Sequence, residues 1–116
     1  MRMLIAEDDY ITAKLYKIIF AQDEIDLCLD GDSCVMAYDG SHDIIILDIK
    51  MPRKNGLKVI EFLKGVNNKI PVVVVTAMTL TDEVRKATKE FLVIRKPMDI
   101  ITLRAKLIEY LKERHV

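Results

Sequence analysis

The chain is short of the residues and patterns that mark several common protein classes. Its 116 residues include only two cysteines, Cys28 and Cys34, and two histidines, His42 and His115. Neither residue type has the spacing of a zinc site or a Cys-x-x-Cys redox pair. No run approaches the roughly 18 consecutive apolar residues of a membrane span, and Met1-Arg2 leads into an apolar stretch without a secretory leader pattern. A cytoplasmic chain with no membrane association and both thiols reduced is therefore expected, Cys28 packing in a strand and Cys34 in a helix. Net charge is zero, from 18 basic and 18 acidic side chains. Bulk charge thus gives no reason to expect direct nucleic-acid binding. After the first apolar run stands Glu7-Asp8-Asp9, not the Gly-rich or Ser/Thr-rich loop that cradles phosphate, which argues against a nucleotide- or flavin-binding module.

What remains is a small, hydrophobic-rich chain of one domain's length, 51% hydrophobic and 31% charged. Apolar stretches predict strands at Arg2–Ala6, Ile25–Leu29, Ile44–Leu47, Ile70–Val75 and Phe91–Ile94. Amphipathic stretches lie between them. Residues 10–21 place Ile11, Leu15, Ile18 and Ile19 on one face, the predicted buried face of a first helix. Asp32 opens a second helix running to Tyr38, ended by Asp39-Gly40. Asn55 caps a third with the stripe Leu57, Val59, Ile60, Leu63 and Val66. Thr81 caps a fourth over 82–90, with Val84, Ala87 and Thr88 inward. Asp99 caps a fifth that buries Ile100, Leu103, Leu107, Ile108 and Leu111. The (βα)5 alternation implies an α/β fold with a doubly wound parallel five-stranded sheet. Ile44–Leu47 and the run 71–75 are apolar throughout after Pro71, as strands covered on both faces require.

Ligands of such sheets bind at the carboxyl ends of the strands. Strand one ends in Glu7-Asp8-Asp9, strand three in Asp48, strand four in Thr76-Ala77 and strand five in Arg95-Lys96-Pro97. Crowded carboxylates call for a cation, and oxygen donors without converging His or Cys suit Mg2+ better than Zn2+. A central aspartate beside a metal, a lysine and a hydroxyl also suits a phosphoryl group. Each residue has a plainer reading. Asp8 or Asp9 could cap the first helix, Asp48 could sit in a turn, Thr76 could close a strand, and Lys96 could be a surface lysine. Their order along the chain, each at a strand end, favours the shared site. Glu7 is expected to line its rim.

With the stretch 47–52 (Leu-Asp-Ile-Lys-Met-Pro), Asn55-Gly56, Thr76-Ala77, Lys96-Pro97 and the pair Asp8-Asp9, the chain resembles the receiver domains of two-component response regulators. The resemblance implies a flavodoxin-like sheet of order 2-1-3-4-5 over residues 1–116. It implies that Asp48 accepts a phosphoryl group from a sensor histidine kinase or a phosphotransfer protein. Asp9 would ligate Mg2+ directly, Asp8 through water, and Asp48 and the Lys50 carbonyl would complete the site. Thr76 and the Ala77 amide would bind phosphoryl oxygens. Lys96 would pair with Asp48 and then with the phosphoryl group, preceding a cis proline. Pro52 and Gly56 would shape the loop past the acceptor.

Implied partners are a kinase or phosphotransfer protein, docking near Tyr10, Ile11, Lys14 and Pro97-Met98, and a downstream protein or fused effector domain. A phosphorylation-dependent homodimer is a further implied partner. Ile11 as a core residue is the alternative at the docking face. Two positions depart from the family pattern. Val93 stands where an aromatic usually precedes the lysine by three positions, and 88–90 lacks the usual glycine. A constitutive interaction module is therefore the competing function. Lys50, two past Asp48, fills the place of the second acid that an Asp-nucleophile hydrolase needs, which argues against that chemistry. Met78, two past Thr76, is expected to obstruct attacking water. Lys50 is expected either to stabilise the phosphoryl group or to help position water.

Overall fold

The computed structural model describes residues 1–51 and 53–114. Pro52 and His115 lie outside them, so the loop-shaping expectation for Pro52 has no structural counterpart here. Five strands, β1 (Arg2–Ala6), β2 (Glu24–Cys28), β3 (Ile44–Leu47), β4 (Val72–Thr76) and β5 (Leu92–Arg95), alternate with five helices, α1 (Tyr10–Ile19), α2 (Gly31–Ala37), α3 (Gly56–Gly65), α4 (Asp82–Thr88) and α5 (Ile100–Arg114). The sheet is parallel throughout, in the order β2-β1-β3-β4-β5. It is the doubly wound, flavodoxin-like arrangement that the alternation implies.

Side-chain alternation divides the core into two layers. Leu4, Ala6, Ile45, Leu47, Val72 and Val74 face α2 and α3, where Cys34, Val59, Ile60 and Leu63 meet them. Met3, Ile5, Ile44, Ile46, Val73 and Val75 face α1 and α5, against Tyr16, Phe20, Leu103 and Leu107. Every residue of β3 and β4 is buried, which explains their unbroken apolar runs. Cys28 and Cys34 are buried free thiols. Burial pushes the Cys28 and Cys34 thiols up to about 11 and about 12, so both stay protonated and pack as apolar groups.

Capping fixes where the helices start. Asp9, Asp30, Asn55 and Thr81 each accept a hydrogen bond from the backbone amide three residues on. Asp99 accepts from the amides of Ile101 and Thr102. Each cap contributes about 1 kcal/mol, by satisfying an amide the helix leaves free. Asp30, not Asp32, therefore opens the second helix. The fourth helix ends at Thr88, earlier than the sequence pattern predicts, and Thr88 turns its hydroxyl back onto the Val84 carbonyl at 2.7 Å.

The first helix turns a different face inward from the one predicted, and of the four predicted residues only Ile19 packs against the core. Its buried side chains are Ala13 and Tyr16, continued by the C-cap residue Phe20. Ile11 and Ile18 are 69% and 71% exposed, and Leu15 is also exposed. The helix carries two apolar stripes, and the one containing the stacked Tyr16–Phe20 pair fits the sheet. In the third helix Val66, predicted to be inward, is exposed as well.

Candidate functional site

The carboxyl ends of β1, β3 and β4 are hydrogen-bonded neighbours, so the residues just beyond them share one edge of the sheet. Glu7 continues the ladder, its amide donating to the Cys28 carbonyl at 2.9 Å, and the Asp48 amide donates to the Ala6 carbonyl at 3.0 Å. From β5, the Lys96 amide bonds the Thr76 carbonyl at 2.9 Å, and the Lys96-Pro97 peptide is cis. The Lys96 ammonium crosses the edge to Asp48 Oδ2 at 3.0 Å and also donates to Glu7 Oε1. These groups open onto a cavity of about 700 Å³, with Asp8, Lys50, Ala77 and Met78 in its walls.

The charge balance of this edge is unusual. Glu7 is 2% exposed and Asp48 7% exposed, and they share a single ammonium. Burial pushes the Glu7 carboxyl up to about 7, with the Lys96 contacts pulling the other way and the Asp48 charge adding to the rise. Burial works against the Lys96 charge, but the hydrogen bonds it donates to Glu7 and Asp48 outweigh it and raise its pKa. Carboxylate oxygens of Glu7, Asp8 and Asp48 lie within 4.8 Å of one another, close enough for a small cation to bridge. Three hard oxygen donors with fewer positive charges than carboxylates fit a hard divalent ion.

This placement corrects two sequence expectations. Glu7 is at the centre of the cluster, not at its rim. Asp9 lines the cavity, yet its Oδ2 is taken up by α1, accepting from the Thr12 amide at 3.0 Å and from the Thr12 hydroxyl, and its oxygens are not among those clustered within 4.8 Å. Those two bonds hold the Asp9 carboxyl below its ordinary value. The backbone turns from strand to helix between Ala6 and Tyr10, and the acids that reach the site are Glu7 and Asp8. Three consecutive acids give no pattern by which the sequence could choose among them. Strand parity would have pointed to Glu7, because Ile5 and Glu7 alternate with Leu4 and Ala6.

Thr76 is fully buried at the end of β4, and its hydroxyl oxygen accepts from the Met78 amide at 3.1 Å. Gly56 packs against the Asp48 backbone: a Cβ there would lie 2.5 Å from the Asp48 carbonyl oxygen. That approach admits only glycine. Val93 is half-buried on β5 and Phe91 precedes the strand, both packed on the α2–α3 side of the sheet. The structure thus places no aromatic side chain at the position three before Lys96.

Comparison with known proteins gives the arrangement a lineage. The family described as the response regulator receiver domain matches residues 3–108. The transcriptional regulatory protein CusR of Escherichia coli (strain K12) is 35% identical over 83 residues, covering 67% of this chain and 36% of its own length. The transcriptional regulatory protein MalR of Bacillus subtilis (strain 168) is 30% identical over 125 residues, covering 100% of this chain and 52% of its own length. The chain therefore spans about a third to a half of these relatives. Among solved structures, the Francisella response regulator 1452 receiver domain shares the fold with a TM-score of 0.80 at 23% identity, over 99% of this chain and 98% of that one. The non-phosphorylated HemR receiver domain from Leptospira biflexa superposes with a TM-score of 0.85 at 21% identity, over 95% and 93%. The chain belongs to the response regulator receiver domains of two-component systems.

Proposed function

We propose that this chain is a phosphoacceptor in which Asp48 takes a phosphoryl group from a phosphohistidine on a sensor histidine kinase or a phosphotransfer protein. The observation that carries it is the buried Asp48 carboxylate, 3.0 Å from the Lys96 ammonium at the floor of an acid-lined cavity. An Asp48 oxygen attacks phosphorus, the P–N bond breaks, and the imidazole leaves with its electron pair and takes up a proton. The product is an acyl phosphate on Asp48. Lys96 stands between Glu7 and Asp48 and can turn its ammonium to the arriving oxygens. Thr76, just behind the cavity wall, would donate its hydroxyl proton to a phosphoryl oxygen, and the Ala77 amide would give a second hydrogen bond. Glu7, Asp8, Asp48 and the Lys50 carbonyl would hold Mg2+, with Asp9 left to its capping role. Bound there, Mg2+ supplies positive charge against the phosphoryl oxygens.

The docking expectation gains support from α1. Tyr10 and Ile11 are both well exposed, and the Lys14 ammonium lies 4.7 Å from the centre of the Tyr10 ring. With Ile11 outside the core, this face offers a partner helix an apolar stripe beside a cavity of about 460 Å³ that includes Pro97 and Met98. Partners downstream are a separate protein or an effector domain of a longer chain, and a phosphorylation-dependent homodimer. No helix among the described residues is long and apolar enough to cross a membrane.

The test is intact-mass measurement after incubation with acetyl phosphate and Mg2+. One phosphoryl group is expected on the wild type and none on Asp48→Asn or in the presence of chelator. An unlabelled wild type overturns the reading. A second reading, a constitutive interaction module, is favoured by Val93 and by the early end of α4 at Thr88. It predicts labelling without any change in partner affinity, whereas the switching reading predicts that affinity shifts with labelling.

A further inference from the structure

The loop leaving Asp48 is closed at its base, where the Gly56 amide donates to the Ile49 carbonyl at 2.7 Å. Its far end rests on the turn that starts α2. Asp30 spends one carboxylate oxygen on the cap, accepting from the Ser33 amide at 2.7 Å. Its other oxygen meets Arg53 Nη1 at 3.3 Å. The next residue, Gly31, backs directly onto Lys54: a Cβ there would stand 1.8 Å from the Lys54 carbonyl oxygen. Asp32 then faces the Lys54 ammonium at 3.7 Å. Three consecutive residues of one turn thus grip two consecutive residues of the other.

Arg53 holds this contact at a cost. Its φ is +64°, in the left-handed region that residues with a Cβ resist. Its side chain is 71% exposed, so the ion pair with Asp30 adds little to stability through solvent. A strained backbone joined to a weak, solvated pair is poorly explained by stability alone. Placement explains it better, because Lys50 lies between the closed base and the gripped end.

We propose that Asp30 and Arg53 form a clasp that positions the acceptor loop, and with it the Lys50 carbonyl, for Mg2+ binding. The inference rests on the phosphoacceptor reading for its purpose. Arg53 is a positioning residue and touches no reacting atom. Its removal has a diagnostic sign. Deleting a cation beside an acidic cluster strengthens Mg2+ binding through the general field, whereas loosening the loop weakens it.

Calorimetric titration of the full chain with Mg2+ separates these effects, comparing wild type, Arg53→Asn, Asp30→Ser and the double variant. Asn accepts positive φ and Ser can still cap α2. Each single change is expected to weaken Mg2+ binding about three- to tenfold, and the double variant no further than the weaker single. The melting temperature of Arg53→Asn should be no lower than that of the wild type. Mg2+ affinity in Arg53→Asn equal to or above wild type overturns the clasp, as does additivity in the double variant. A weaker affinity together with a lower melting temperature also counts against it, since general loosening then accounts for the loss. A wild type that binds Mg2+ but accepts no phosphoryl group sinks the phosphoacceptor reading and leaves the Mg2+ comparison to judge the clasp. A wild type that binds no Mg2+ sinks the clasp.

Discussion

The two ends of the sheet hold carboxylates in opposite ways. At the amino end Arg2 meets Asp26 at 3.2 Å, Glu24 at 3.6 Å and Asp39 at 3.5 Å, and the Met1 ammonium pairs with Asp23 at 2.8 Å. His42 adds a contact from Nε2 to Asp26 at 2.7 Å. Apart from the His42 ring these groups are at least one-fifth exposed, Glu24 and Asp39 most of all, and Asp39 has two further donors in Ser41, which hold its carboxyl down at about 2. At the carboxyl end Glu7 and Asp48 are buried, share one ammonium, and have Asp8 beside them. Similar residue types are therefore spread over several donors and partly open to solvent at one end, and buried around a single ammonium at the other. A cluster that already has its donors and water is structural, whereas one buried without enough positive charge is ready for a cation.

Glu7→Gln against Asp26→Asn is the sharpest way to break that contrast. Glu7→Gln should weaken Mg2+ binding by about ten- to a hundredfold, while Asp26→Asn leaves it within about twofold and instead costs about 1 kcal/mol of stability. Equal effects on Mg2+ would erase the distinction between the ends. Next in size is the lifetime of the acyl phosphate. Met78 borders the cavity beside Thr76, and Met78→Glu should speed phosphoryl loss by about tenfold by helping water approach; mass measurement of decay reads this directly. Slower decay in Met78→Glu than in wild type would discard the idea.

The smallest effect is a pH slope. Folded Glu7 titrates at about 7 and the unfolded residue at 4.5, so the folded chain holds the extra proton between these values. Stability without metal should therefore fall as pH rises from about 5 to about 8, and saturating Mg2+ should flatten that dependence. The share belonging to Glu7 is the difference between the denaturation profiles of wild type and Glu7→Gln. Identical slopes would show that burial of Glu7 costs nothing.

Much of this was legible in the sequence because strands covered on both faces leave little freedom. β1 and β3 have the limits their apolar runs predict, and the other three strands differ by a residue or two at their ends. The caps Asn55, Thr81 and Asp99 were legible for the same local reason. Packing choices were not. Ile11, Leu15 and Ile18 look more hydrophobic than Ala13, Tyr16 and Phe20, yet the second set has the small residue and the flat rings that the sheet accepts. The Glu7-Asp8-Asp9 ambiguity was resolved only by where β1 stops and where α1 needs a cap. A lone His42 offered no pattern at all, and its buried place beside Asp26 follows from the loop before β3 meeting the distant strand β2. The grip of Asp30 on Arg53 likewise depends on two turns that lie far apart in the chain.

The position of β3 has a consequence for how any signal must travel. Its residues are wholly buried and it is paired on both sides, by β1 and by β4. In hydrogen-exchange terms its amides should open only with the whole sheet, with and without a phosphoryl group on the neighbouring Asp48. The proposed acceptor, Asp48, is thus mounted on the part of the protein least able to yield. The chain's response to modification must be carried by the loops and helices around that fixed post, where exchange protection is free to change.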